Sequence, residues 1–261
     1  MPPLKIATWN VNGIRAREVQ FLEWVDRERP DIICLQEIKS PVAKVPASLC
    51  ELQGYRCHWH GERGYSGVGL HVRQEAFSEE PHFLHPPFDH ETRIVTAQIG
   101  DLVLVSVYVP NGGKDFPAKM EFLREMERYV IETHAARAHI VICGDINITR
   151  TDRDVHPKER NPALVGQRPE EREMLERILA HGLVDIGRAL DPDNENLFTW
   201  WAPWRNLRQR NIGWRLDYIL ASEALASKAT QCSVYREVGT SDHAPVVATF
   251  HLDGEAAKPI G

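Results

Sequence analysis

The sequence contains no apolar run long enough to cross a bilayer, which argues against a membrane-spanning helix. It has no CxxC pair, and along the sequence no Cys/His cluster reads as a zinc site. Its five cysteines (Cys34, Cys50, Cys57, Cys143 and Cys232) are odd in number, which speaks against a disulfide framework. No glycine-rich phosphate loop and no GxSxG occur, so nucleoside-triphosphate hydrolysis and serine-based acyl transfer lose support. No signal-peptide pattern precedes the strand-like segment at Leu4, and with thiols that read as reduced the expectation is a cytoplasmic protein. An excess of positive charge is also lacking. The net charge of −6 argues by itself against a nucleic-acid partner, but setting aside four acids gathered at one centre (Glu37, Asp145, Asp217, Asp242) leaves −2.

What is present fits one domain spanning 1–261, with a frayed tail at 253–261. The composition, 43% hydrophobic and 26% charged, is that of an ordinary globular chain with a large core. Strand-like segments recur at 4–9, 31–36, 67–72, 93–99, 102–109, 138–143, 215–220 and 245–252. Helical patterns occupy 16–28, 117–136 and 169–181; the last two open with Pro117 and Pro169 in the first turn, and Gly182 stops the third. Helices alternate with strands early, and strands follow one another at 93–109 and near the end. That mixture predicts an α/β fold of two mixed sheets packed face to face with helices outside. Long loops are expected at 73–91, 149–168 and 199–214.

Polar residues stand at the ends of apolar strands repeatedly. Asn10 and Asn12 follow the first strand, Glu37 the second, Tyr108 and Asn111 a third, and Asp145 and Asn147 the run "HIVIC". Asp217 lies within the apolar strand "RLDYIL", and Asp242 and His243 precede the last strand. One such residue is a turn former; six such places describe one crevice at strand ends. Glu37 and Asp242 are hard oxygen donors that suit Mg²⁺ or Mn²⁺. A histidine paired with a buried carboxylate and a second carboxylate free to act on water complete a set suited to phosphoester hydrolysis.

The ordered motifs "WNVNGIR", "LQE", "YSGVGL", "VYVPNG", "GDIN", "GWRLDYIL" and "SDHAP" resemble the exonuclease III family of apurinic/apyrimidinic endonucleases, a branch of the endonuclease/exonuclease/phosphatase superfamily. The resemblance spans roughly residues 4 to 252; "GDIN" and "SDH" mark the superfamily, "NVNGIR" and "GWRLDY" the branch. It implies a four-layer α/β sandwich and a monomeric, Mg²⁺-dependent enzyme, with Mn²⁺ able to substitute, acting on abasic sites and 3′ ends of duplex DNA. It implies Glu37 as principal metal ligand with Asp242 and Asn12 nearby. It also implies Asp145 aligning water or taking its proton, with Asn10 and Asn147 holding it and the phosphate. His243, oriented by Asp217, would bind a phosphate oxygen, and Tyr108 would face the phosphate and assist the leaving oxygen.

Substrate contacts are implied at Arg15, Tyr65, Asn111, Lys114 and Asn161. The segment 199–215 interleaves Trp200, Trp201, Trp204 and Trp214 with Arg205, Arg208, Arg210 and Arg215, a composition suited to phosphates and exposed bases or sugars. Within it, Trp200 or Trp201 with Trp214 and Leu216 matches the family's pocket for a flipped-out baseless sugar. Two departures stand out: Asn12 where some relatives carry aspartate, and Gln167 where relatives carry an aromatic. The competing readings are a superfamily phosphatase acting on a phospholipid or inositol phosphate, and a non-catalytic DNA-binding relative.

Overall fold

The computed structural model describes residues 3–136 and 138–252; the tail expected to fray, 253–261, lies outside the described residues. The strands are β1 (Leu4–Asn10), β2 (Ile32–Gln36), β3 (Tyr55–His60), β4 (Val68–Arg73), β5 (His82–Leu84), β6 (Ile94–Ile99), β7 (Leu102–Tyr108), β8 (His139–Asp145), β9 (Leu183–Asp185), β10 (Asp217–Ser222), β11 (Ala229–Val234) and β12 (Val246–Phe250). They form two six-stranded sheets, ordered β11-β12-β1-β2-β4-β3 and β5-β6-β7-β8-β10-β9. β1 pairs β2, and β7 pairs β8, in parallel; the remaining pairs are antiparallel.

Period-two alternation assigns each strand an inner and an outer face. Ile6, Cys34, Leu70, Val95, Leu104, Val141, Ile219 and Ala248 meet in one cluster between the sheets. On the other face of the first sheet, Ala7, Trp9, Ile33 and Leu35 pack with Phe21 and Trp24 of helix α1 (Glu18–Glu28). On the other face of the second, Val105, Val107, Ile140 and Ile142 meet Phe122 and Met126 of α2 (Phe116–Ala135) and Met174 and Ile178 of α3 (Pro169–Leu179). The result is the expected four-layer sandwich. The Asp115 carboxylate accepts from the Ala118 N–H at 2.9 Å and Pro117 follows, so α2 starts where its capping chemistry places it.

The eight expected strands are present. β3, β5, β9 and β11 were not anticipated, and they are the four outermost strands of the two sheets. An edge strand has one neighbour; β3, β5 and β11 are largely half-exposed and β9 is three residues long, so an apolar run does not mark them. β5 also interrupts the loop expected at 73–91.

Candidate active site

The inner face of the sandwich changes character toward one end. Beyond Ile6, Cys34 and Leu104, the next inward positions are Thr8, Gln36 and Ser106, all buried. Thr8 Oγ1 donates to Gln36 Oε1 at 3.1 Å and Gln36 Nε2 to Ser106 Oγ at 3.3 Å, so this polar layer satisfies itself. One step further, the same parity presents Asn10, Tyr108 and Asp145 from the C-terminal ends of β1, β7 and β8, and Asp217 from the start of β10. Tyr108 and Asp217 both lie opposite Asp145 in register. Glu37 follows β2, and Asp242 and His243 precede β12, whose antiparallel course brings its start to the same end.

The backbone bends sharply to do this. Asn12, Glu37, Lys39 and Asn147 all have positive φ, between 45° and 55°. Asparagine tolerates that region; for glutamate and lysine it costs roughly 1 kcal/mol or more, held in place by surrounding hydrogen bonds. Gly144 is required for another reason: a Cβ there would lie 1.8 Å from the Val107 carbonyl oxygen of the neighbouring strand.

Two bonds join the sheets across the cleft. The Asn10 Nδ2 amide donates to Glu37 Oε1 and to Asp145 Oδ2, both at 2.9 Å. His243 Nδ1 lies 2.8 Å from Asp217 Oδ2, and its Nε2 is 3.7 Å from Asp145 Oδ2. Asp217 is set by Thr199, whose hydroxyl accepts its N–H at 3.0 Å. Asp145 Oδ1 accepts the Asn147 N–H at 2.9 Å, while the Asn147 amide donates to the Val109 carbonyl and accepts from Asn111.

Burial works against a charged imidazole, yet the carboxylates of Asp217 and then Asp145 hold His243 protonated up to about 10. Its Nδ1–H therefore donates to Asp217 and its Nε2–H faces the cleft. Burial pushes Asp145 up to about 7, opposed by His243 and reinforced by Asp217 and Glu37. Burial also acts to raise Glu37, but the hydrogen bonds from Asn10 and Lys39 outweigh it and hold that carboxyl low. Asp242 is likewise low against its burial, stabilised by His243, Trp200 and Asn12. Burial, with the charges of Glu37 and Asp145, keeps the Tyr108 phenol protonated.

Glu37, Asp145 and His243 place potential ligand atoms within 4.8 Å of one another. With His243 charged, the donors left are carboxylate oxygens, which fit a hard divalent cation. Asp242 stands next to this group. Its Oδ1 accepts from Asn12 Nδ2 at 2.7 Å and its Oδ2 from Trp200 Nε1 at 3.0 Å. Asn12 Oδ1 in turn accepts from Lys39 Nζ at 2.5 Å, an ammonium also 2.6 Å from Glu37 Oε2.

Arg15, Asn111, Lys114 and Asn161 are exposed, as is Tyr65, whose hydroxyl accepts from Arg93. Trp200 and Trp214 are half-buried and meet edge to face at 5.4 Å, with Leu216 buried beyond them. Two adjacent tryptophans thus part company, because Trp201 is only 1% exposed in a cluster with Phe198, Leu207 and Ile212. It has no surface left for a nucleotide. Arg208 is committed to the carbonyls of Arg236, Ser241 and Val238. Arg215 is buried between Asp154 and Asp185, so both arginines brace the fold instead of lining a groove. Gln167, also 1% exposed, accepts the Asn161 N–H at 2.8 Å and donates to the Glu159 carbonyl at 3.0 Å. It supports the loop from within by hydrogen bonds where an aromatic would do so by packing.

Sequence reasoning passed over Lys39, Arg93 and Lys119. Arg93, 2% exposed, lies 5.3 Å and 4.8 Å from the ring centroids of Tyr65 and Tyr108. Lys119 is fully buried, donating to the carbonyls of Asn111 and Asn147 and paired with Glu171. The available signal was a basic residue inside an otherwise apolar helical face at 119 and at the head of a strand at 93.

Comparison with known proteins agrees with this geometry. Exodeoxyribonuclease of Bacillus subtilis (strain 168) is 32% identical over 256 residues, covering 95% of this chain and all of that protein. Recombination repair protein 1 of Drosophila melanogaster is 34% identical over 254 residues; the match covers 95% of this chain but 37% of that longer protein. An AP endonuclease structure from Archaeoglobus fulgidus superposes with a TM-score of 0.86 at 31% identity, covering 95% of this chain and all of that one. The model of the Endonuclease/Exonuclease/phosphatase family matches residues 7–243, a span that begins beside Asn10 and ends on His243. With both sheets, the cleft at their shared end and nearly the whole length accounted for, the chain belongs to the endonuclease/exonuclease/phosphatase family.

Proposed function

We propose that this protein is a metal-dependent DNA repair nuclease that hydrolyses phosphodiester bonds at abasic sites and 3′ ends of duplex DNA, working as a monomer. The observation that carries the reading is His243 held by Asp217 at 2.8 Å with its Nε2 3.7 Å from Asp145, beside Glu37. A cation and a carboxylate side by side serve an in-line attack on phosphorus. Asp145, fixed by Asn10 and Asn147 and raised to about 7, takes the proton of the attacking water near neutral pH. The His243 Nε2–H donates to a non-bridging phosphate oxygen, where negative charge builds as the bond breaks. Tyr108, kept protonated, has a proton to give the leaving oxygen.

Mg²⁺, with Mn²⁺ as substitute, would be held by Glu37 with Asp145 or Asp242 and would supply electrostatic stabilisation of the phosphate. Asn12 supports this set through Asp242. Arg15, Tyr65, Asn111, Lys114 and Asn161 are the exposed contacts for the DNA backbone, and Trp200, Trp214 and Leu216 the wall for a baseless sugar. The names of the similar proteins, an exodeoxyribonuclease and an AP endonuclease, support both halves of the substrate assignment. Among the described residues no helix is long and apolar enough to cross a membrane. All five cysteines are unpaired, which supports our placing the protein in the reducing cytoplasm.

The test is a duplex carrying one abasic analogue, incubated with the pure protein in Mg²⁺ or in EDTA. Incision 5′ or 3′ to the lesion in Mg²⁺ alone is expected. Equal cutting in EDTA, or an intact duplex under every divalent metal, would overturn the reading.

A further inference from the structure

Away from the cleft, three imidazoles and a carboxylate converge where β3 meets the segment after β5. His58 and His60 stand two residues apart on β3 and so share a face. His85 and Asp89 come from the segment that leads toward β6. His58 Nε2 is 3.2 Å from His85 Nε2, and His60 Nε2 is 2.5 Å from Asp89 Oδ2. The rings of His60 and His85 have centroids 3.9 Å apart, and His60, His85 and Asp89 offer ligand atoms all within 4.8 Å of one another. We propose that His60, His85 and Asp89, with His58 completing the set, form a binding site for one transition-metal ion of the Zn²⁺ class.

The chemistry of the donors selects the ion. Imidazole nitrogens with one carboxylate oxygen suit Zn²⁺ and its borderline neighbours, and are too rich in nitrogen for Mg²⁺. Tetrahedral Zn²⁺ with bonds of about 2.0–2.1 Å spaces its ligand atoms roughly 3.4 Å apart. Among His60, His85 and Asp89 the separations run from 2.5 Å to within 4.8 Å and bracket that value, and His58 joins them through His85 at 3.2 Å.

The surroundings are built for it. Asp89 Oδ1 accepts the N–H groups of Arg93 at 2.8 Å and Ile94 at 3.1 Å, which orients the carboxylate and leaves Oδ2 toward the histidines. Phe83 stacks on His58 with centroids 4.8 Å apart and walls one side. His85 is exposed and provides an entry path. The ligands lie on two separate segments, 58–60 and 85–89, so no contiguous stretch of sequence marks the site.

An ion here would tie the 85–93 segment to β3. Asp89 is the anchor of Arg93, and Arg93 lies against Tyr65 and Tyr108 at the wall of the cleft. The site is therefore a staple behind the active site and takes no part in its chemistry.

The experiment is calorimetric titration of the full chain with Zn²⁺ in buffer holding excess Mg²⁺ to fill the acidic cleft. One equivalent is expected, and H60N and H85Q should each weaken it by at least about tenfold. Zn²⁺ should also raise the melting temperature of the wild type and not of H85Q. Uptake unchanged in both variants overturns the proposal, as does uptake abolished by E37Q instead. Should a variant melt early in EDTA, Co²⁺ absorption of the wild type decides. An intense tetrahedral spectrum is expected, and a pale octahedral one would mean that only the histidine–aspartate hydrogen bond is present.

Discussion

Asp217 and His243 belong to different sheets, and the 2.8 Å bond between Asp217 Oδ2 and His243 Nδ1 is made only because the two sheets end together. Asp217 opens β10 of the second sheet; His243 stands ahead of β12 of the first. The Asn10 amide, bonded to Glu37 on its own sheet and Asp145 on the other, repeats the arrangement. The site is therefore as rigid as the packing between the sheets.

Removing the charge from Asp217 takes away the largest influence holding His243 protonated. D217N should lower kcat on a DNA substrate by on the order of 10²–10⁴-fold while DNA affinity changes little. Single-turnover kinetics beside a binding assay measures both. Normal turnover would mean that His243 does not need its proton.

Asn10 holds two carboxylates at 2.9 Å from one nitrogen. N10A leaves Glu37 and Asp145 to repel each other and to re-orient. The Mg²⁺ concentration for half-maximal rate should rise by about 10–100-fold, as expected when a group that orients metal-binding carboxylates is lost. A metal titration of the rate reads this directly; an unchanged half-point refutes it.

Lys119 and Glu171 form an ion pair with both side chains fully buried. The same ammonium gathers the carbonyls of Asn111 and Asn147, so it ties α2 to the floor of the cleft. K119A strands the Glu171 charge and should cost about 3–5 kcal/mol in urea unfolding. K119M/E171L should recover part of that stability but not the placement of Asn147, leaving activity low.

His71 is fully buried, with neither ring nitrogen hydrogen-bonded, against Trp59 at 4.4 Å and Phe21 at 6.5 Å. Burial pushes it down to about 4 from the ordinary 6.5. Below pH 6.5 the unfolded chain takes up a proton that the folded chain refuses. The stability is thus complete above 6.5, falls as pH drops toward 4, and levels off below. The loss should reach about 3 kcal/mol. Urea midpoints of wild type and H71L across that interval isolate it, because His58 contributes equally to both. Parallel slopes would show that His71 is not the group responsible.

Much of this was legible because alternation along a strand is a local property. Once β1, β7, β8 and β10 are recognised, parity alone puts Asn10, Tyr108, Asp145 and Asp217 on the inner face. The four edge strands were missed for the complementary reason, since a strand with one neighbour and half its surface in water carries little apolar signature.

The amino-acid sequence by itself therefore determined the layers, the strands between them and the polar residues at their ends, since burial imposes a period on the chain. Which of two adjacent tryptophans faces the cleft, and whether an arginine meets solvent or an internal carboxylate, was decided only by the tertiary structure. Trp200 bonds Asp242 while Trp201 fills a small core, and Arg215 is spent on Asp154 and Asp185. The meeting of His58, His60, His85 and Asp89 belongs to the same class. Side chains far apart along a chain carry no mark of one another until packing brings their segments together.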